Sequence, residues 1–183
     1  MKKILLALVA IACSLSMAST GFSYTLQGYP VSIKSPEELV GWLHKEFTYE
    51  LKFPDYKQTL DETLKRRAGD CEDFALLSHT VLNGLGIKNE VVIVTYREIK
   101  VMHAICVFKH GNTYSIISNR EMIKTSRRSV NDAIAEIYPD WDKLAFLSSD
   151  GQPVRTIERD YTLRIGRSTL AMIRSTSETG RSL

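Results

Sequence analysis

The sequence predicts one α+β domain, with helices in its first half and an antiparallel sheet in its second. Three observations carry this. Apolar residues recur at helical spacing between Pro36 and Phe47 and again from Cys71 to Leu85. A β-branched run, Val91-Val92-Ile93-Val94-Thr95-Tyr96, follows and reads as a buried strand. Two further strand-like runs, Met102 to Phe108 and Thr113 to Ile117, flank the turn sequence His110-Gly111-Asn112. With 183 residues, 44% hydrophobic and 25% charged, the chain has the size and balance of a single globular domain, and no internal repeat is visible.

The chain opens with Met1-Lys2-Lys3 and the apolar run Ile4 to Ala12, which is too short to span a bilayer as a mature helix and reads as an export signal. Two ends of that signal fit: cleavage after Ser16-Met17-Ala18, or a lipobox-like Ala10-Ile11-Ala12-Cys13 that leaves Cys13 lipidated. The expectation is therefore a signal over residues 1–18 and an exported protein, periplasmic or secreted, that meets the membrane only if lipidated at Cys13. Residues 19–35 read as a loose lead-in, 36–160 as the domain, and 161–183 as a poorly ordered Ser-, Thr- and Arg-rich tail. Formal net charge is +3, and loss of Lys2 and Lys3 brings it to about +1, which gives no footing for nucleic acid.

Within the domain, Ser35-Pro36-Glu37-Glu38 caps a helix to about Phe47, because a hydroxyl, a proline and two acids suit a positive helix end. Tyr49 to Tyr56 reads as a loop, and Thr59 to Lys65 as a short helix ended by Gly69. From Cys71, residues Phe74, Ala75, Leu82 and Leu85 share a face with the cysteine, and Gly84 and Gly86 end that helix. Ser129 to Ile137 is a further helix, and Ala145-Phe146-Leu147 with Val154 to Ile157 forms a last hairpin around Ser149-Asp150-Gly151-Gln152.

A thiol attacks carbonyl carbon as thiolate, and Cys71 stands where a helix begins, so the positive helix end favours that charge and its N–H groups face a developing oxyanion. Gly69 permits close approach. Asp70, Glu72 and Asp73 work the other way and raise the thiol pKa unless something balances them. His103, opening an apolar strand, is the expected general base; His44, His79 and His110 read as helix and turn residues. Alternation puts His103, Ile105 and Val107 on one face and Met102, Ala104, Cys106 and Phe108 on the other, so a Cys71–Cys106 disulfide and a Cys71–His103 pair exclude each other. A two-residue His110-Gly111 loop sets Ser118 opposite His103, and a three-residue loop sets Asn119 there. Asn119 is the preferred third residue, because a carboxamide accepts an imidazole N–H well.

The run Gly69-Asp70-Cys71-Glu72-Asp73-Phe74-Ala75, then Leu85-Gly86-Ile87, then His103-Ala104 resembles the bacterial transglutaminase-like cysteine peptidases over about Pro36 to Glu121. The resemblance implies a papain-like core and an acyl-enzyme route to amide cleavage or transfer on a protein or peptide substrate, with a Cys-His-Asp or Cys-His-Asn site in which Cys71 and His103 are the first two members. It also implies that Ser118-Asn119 stands where the family usually has Asp followed by Asn. One branch, periplasmic calcium-dependent proteinases, carries acids where Asp70, Glu72 and Asp73 stand, which makes calcium chemically reasonable; the acids also suit a helix N-terminus without any metal. No other cofactor is expected. Hydrolysis, transamidation by an amine acceptor, and a weakened domain that only binds peptide all follow from the same pattern.

Overall fold

The computed structural model describes residues 23–159, apart from residues 27, 30, 53–55 and 97–100. The expected export signal, Cys13 and the tail beyond Asp160 lie outside the described residues.

Helix α1 (Pro36–Glu46) starts as its sequence demands: the Ser35 hydroxyl accepts the Glu38 N–H at 3.1 Å, with Pro36 in the first turn. Helix α2 (Leu60–Arg66) begins with a reciprocal capping box between Thr59 and Glu62. It ends one residue past the expected Lys65, and the residue that ends it is not Gly69. Arg67 adopts a left-handed conformation with φ of 54° and stops the helix, while Ala68–Gly69 (β4) pairs in parallel with Thr48–Tyr49 (β3). Gly69 is needed for closeness instead, since a Cβ there would lie 2.7 Å from the Asp73 side chain. Helix α3 (Cys71–Gly84) follows at once, capped by Asp70, and Gly86 turns the chain away with φ of 71°.

The lead-in expected to be loose is packed. Tyr24–Thr25 (β1) pairs with Ser32–Ile33 (β2), and Leu26 and Ile33 are buried in the main core. The Tyr24 ring lies so near Gly84 of α3 that a Cβ there would sit 2.0 Å from it.

Six antiparallel strands form the large sheet in the order β10-β9-β5-β6-β7-β8: β5 (Asn89–Tyr96), β6 (Met102–His110), β7 (Thr113–Ser118), β8 (Glu121–Lys124), β9 (Trp141–Leu147) and β10 (Pro153–Glu158). Alternation gives the sheet two apolar faces. Val91, Ile93, Ala104, Cys106, Phe108 and Ile117 meet α3, while Val92, Val94, Ile105, Val107 and Ile116 meet helix α4 (Val130–Ile137). The fold is thus α+β, with helices covering both sides of an antiparallel sheet.

Candidate active site

The start of α3 is held by an unusually complete set of contacts. The Asp70 carboxylate Oδ1 accepts the N–H groups of Glu72 and Asp73 at 3.0 and 3.3 Å, and Asp73 Oδ2 accepts the Asp70 N–H at 2.9 Å. Two of the helix N–H groups expected to face an oxyanion are therefore already engaged by Asp70. Asp73 Oδ2 also accepts Gln58 Nε2 at 2.7 Å. Lys52, from the loop after β3, brings its ammonium to 3.0 Å from Asp70 Oδ2 and 2.9 Å from Asp73 Oδ2. Glu72 is half-buried at the wall of the cleft beside Cys71, with Lys57 Nζ at 3.9 Å.

The three carboxylates expected to take calcium thus do not converge. Among the described residues no group of three or more His, Cys, Asp or Glu side chains is placed to hold a metal ion. The residues as placed do not fit one, because the cation facing Asp70 and Asp73 is already Lys52.

Cys71 is half-buried and unbonded to Cys106, which is also a free thiol. Helix α3 packs on the face of the sheet that carries Ala104 and Cys106. The alternation of faces therefore does not by itself keep Cys106 from Cys71. Cys106 stays apart because it lies two residues deeper in the strand, fully buried, with Sγ 3.5 Å from Asn89 Oδ1.

Both the thiol and the imidazole lie at the start of β6, against different sides of it. The Lys109 N–H donates to Lys88 O at 2.8 Å on the β5 side. Antiparallel alternation then turns the N–H groups of residues 108, 106 and 104 toward β7. The β6–β7 ladder ends at the Ile105–Ser118 pair, and Asn119 leaves the sheet with φ of 53°. Ala104 has no β7 partner, and its N–H is turned to the Cys71 thiol. The thiol accordingly lies against the peptide group that joins His103 to Ala104.

His103 sits on the α4 face of β6, with Nε2 2.8 Å from Ser118 Oγ. Its ring meets the Tyr138 ring edge-on, centroids 6.1 Å apart, and the Tyr138 hydroxyl also reaches Ser118. Neither expected register occurs. The turn is Gly111-Asn112, His110 pairs with Thr113, and Ser118 stands opposite Ile105. Ser118 meets His103 diagonally, since residues two apart share a face. No hydrogen bond joins Asn119, the preferred third residue, to His103 among the described contacts, and the buried Asn119 Oδ1 has no hydrogen-bond partner. No hydrogen bond joins Cys71 and His103 directly among the described contacts, and Nδ1 of His103 is the ring nitrogen left without one.

Burial pushes the Cys71 thiol pKa up; the Ala104 N–H opposes this, the Asp70 charge adds to it, and the N–H groups of Glu72 and Cys71 oppose it in turn. Burial also lowers the His103 pKa. A cleft of about 320 Å³ opens beside the thiol, walled by Leu51, Ile93 and Met102 on one side and by Lys52, Asp70 and Glu72 on the other. A larger cleft of about 410 Å³ lies on the far flank of α3, between Leu60, Leu76 and Asp150, and does not touch Cys71. Lys52 and Tyr138 escaped the sequence reading; a single loop lysine and a tyrosine after a helix carry no pattern that marks them.

A cysteine opening a helix, set against the peptide after a histidine whose ring is held by the neighbouring strand, defines a thiol–imidazole site on an α+β sheet. The chain belongs to the transglutaminase-like domain family, whose sequence model matches residues 21–136. Among solved structures it is similar to Legionella pneumophila LapG in its calcium-bound form, at 18% identity and a TM-score of 0.48, covering 76% of this chain and 77% of that one. The EGTA-treated LapG structure is similar at 18% identity and a TM-score of 0.44, covering 60% and 63%. No curated protein sequence matches the chain.

Proposed function

We propose that this chain is a thiol-dependent peptidase or amidase that acts through an acyl-enzyme on Cys71. The observation that carries the reading is the thiol at the first residue of α3, lying against the His103–Ala104 peptide beside a cleft lined by both apolar and charged side chains. With Nε2–H donated to Ser118 Oγ, Nδ1 keeps its lone pair and takes the thiol proton. The sulfur then attacks the substrate carbonyl carbon, the Cys71 N–H faces the oxyanion, and collapse breaks the C–N bond. His103 returns the proton to the leaving amine, then draws one from water as it cleaves the thioester. Asn119 has no part in this sequence; Ser118 holds the ring.

Protein or peptide is the substrate class that the cleft supports, since Leu51 and Met102 offer exposed apolar side chains at its rim. The amino-terminal sequence supports an exported enzyme, periplasmic or secreted. Mass spectrometry of the mature amino terminus separates cleavage after Ala18 from a lipidated Cys13.

A second reading has its own support. Ser118 supplies no negative charge to the imidazole, and burial holds the thiol and the imidazole neutral. Those features suit a domain that binds peptide in the same cleft with weak turnover. Reaction with a peptide electrophile tests the first reading: wild type labels at Cys71, Cys71→Ala does not, and His103→Ala labels more slowly. Equal labelling of wild type and Cys71→Ala would refute it. Peptide affinity without amine release over many hours would favour the binding domain.

A further inference from the structure

We propose that Lys52 is the resident counter-ion of the acidic cluster beside Cys71, so that this helix start is assembled without a divalent cation. The side chains of Lys52, Asp70 and Asp73 are 4%, 12% and 0% exposed, so the cluster is largely buried at the base of the cleft beside Cys71. Two carboxylates this deep need a cation, because unpaired buried charge is strongly destabilising. The Lys52 ammonium meets both, at 3.0 Å from Asp70 Oδ2 and at 2.9 and 3.1 Å from the two oxygens of Asp73. The Tyr56 ring lies over it, 5.1 Å from ammonium to centroid.

All four carboxylate oxygens of Asp70 and Asp73 are engaged. Asp70 Oδ1 holds two backbone N–H groups, Asp70 Oδ2 and Asp73 Oδ1 hold Lys52, and Asp73 Oδ2 holds Lys52, the Asp70 N–H and Gln58. Calcium takes about six to eight oxygens at roughly 2.3–2.6 Å. It would enter this cluster only by expelling the ammonium, whose charge repels it. The ammonium sits within hydrogen-bond reach of three carboxylate oxygens, which favours its charged form. Lys52 is thus a positioning residue: it fixes the turn from Asp70 to Asp73 and through it the place of Cys71. It would do so in a binding domain as well as in a peptidase.

Thermal unfolding and terbium luminescence test this without reference to turnover. Wild type is expected to melt at the same temperature in excess EGTA and in millimolar calcium, and to give no tyrosine-sensitised terbium emission. Lys52→Met is expected to melt about 10 °C lower in EGTA. Calcium should restore part of that loss, and terbium emission should appear, because removing the ammonium frees Asp70 and Asp73 for a divalent ion. A melting temperature in wild type that falls on EGTA treatment overturns the proposal, as does wild-type terbium emission. So does a Lys52→Met protein that melts like wild type, or one that is destabilised and ignores calcium. Should Lys52→Met fail to fold, the two wild-type measurements still decide.

Discussion

The α3 face and the α4 face of the large sheet each carry half of the site, and they handle polarity in opposite ways. Around Cys71 stand Lys52, Asp70, Glu72 and Asp73, with Asp70 and Asp73 tied to Lys52 and to backbone N–H groups. Around His103 stand one hydroxyl, Ser118, the edge of Tyr138 and apolar side chains of the α4 cluster. The charged half fixes geometry; the neutral half leaves the imidazole without an anion to stabilise its protonated form. A thiol pushed up and an imidazole pushed down both favour a neutral pair at rest. In the proposed peptidase, the substrate would have to complete the activation, by positioning its carbonyl where developing charge is stabilised.

That contrast is broken most directly through Asp73, which is buried and holds Lys52, Gln58 and the Asp70 N–H. Asp73→Ala should cost about 3–5 kcal/mol in urea denaturation, because a buried ammonium loses a partner. Ser118→Ala, the matching deletion on the neutral face, should cost about 1 kcal/mol. Equal losses would erase the distinction between the faces. The next effect is kinetic: Ser118→Asp supplies the missing anion beside Nε2, raises the His103 pKa and should speed labelling of Cys71 near neutral pH about tenfold. A rate unchanged across pH would show that the hydroxyl is not what limits the imidazole.

Titration separates the halves further. The folded pKa of His103 is lowered by burial, so its contribution to stability is present above the usual histidine value of about 6.5 and is lost as pH falls through the folded value. Wild type should lose stability on acidification in that range, and His103→Gln should show a flatter profile. Labelling of Cys71, whose pKa is raised, should keep climbing with pH beyond the usual thiol range near about 8.5. The smallest effect belongs to Cys106, fully buried on the α3 face. Cys106→Ala should cost about 1 kcal/mol and leave native labelling intact, and denatured wild type should titrate both Cys71 and Cys106 as free thiols.

Much of this was legible because local chemistry decides it. Ser35 caps α1, Thr59 and Glu62 cap α2, and Cys71 opens α3 for reasons contained in a few adjacent residues. His103 at the mouth of an apolar strand was equally readable. The register was not, because His110 continues β6 and stacks on Phe108 at 5.8 Å rather than joining the turn. Alternation separated His103 from Ala104 but could not say which face receives α3; that depends on the packing of a helix from elsewhere in the chain. Lys52 was hidden for the same reason: its partners, Asp70 and Asp73, are brought to it by the β3–β4 pairing. Tyr24, Leu26 and Ile33 join the core as scattered single residues, without a period to announce them.

The Gly111-Asn112 turn lies at the opposite end of β6 and β7 from the thiol, yet it acts as the vernier of the site. Lengthening or shortening it by one residue slides β7 along β6 and turns Ser118 through the sheet to the α3 face. The imidazole would lose its support, and the ladder gap that bares the Ala104 N–H would move or close. A length change at a distant surface loop would therefore alter the support of the imidazole while every residue around the sulfur stays the same.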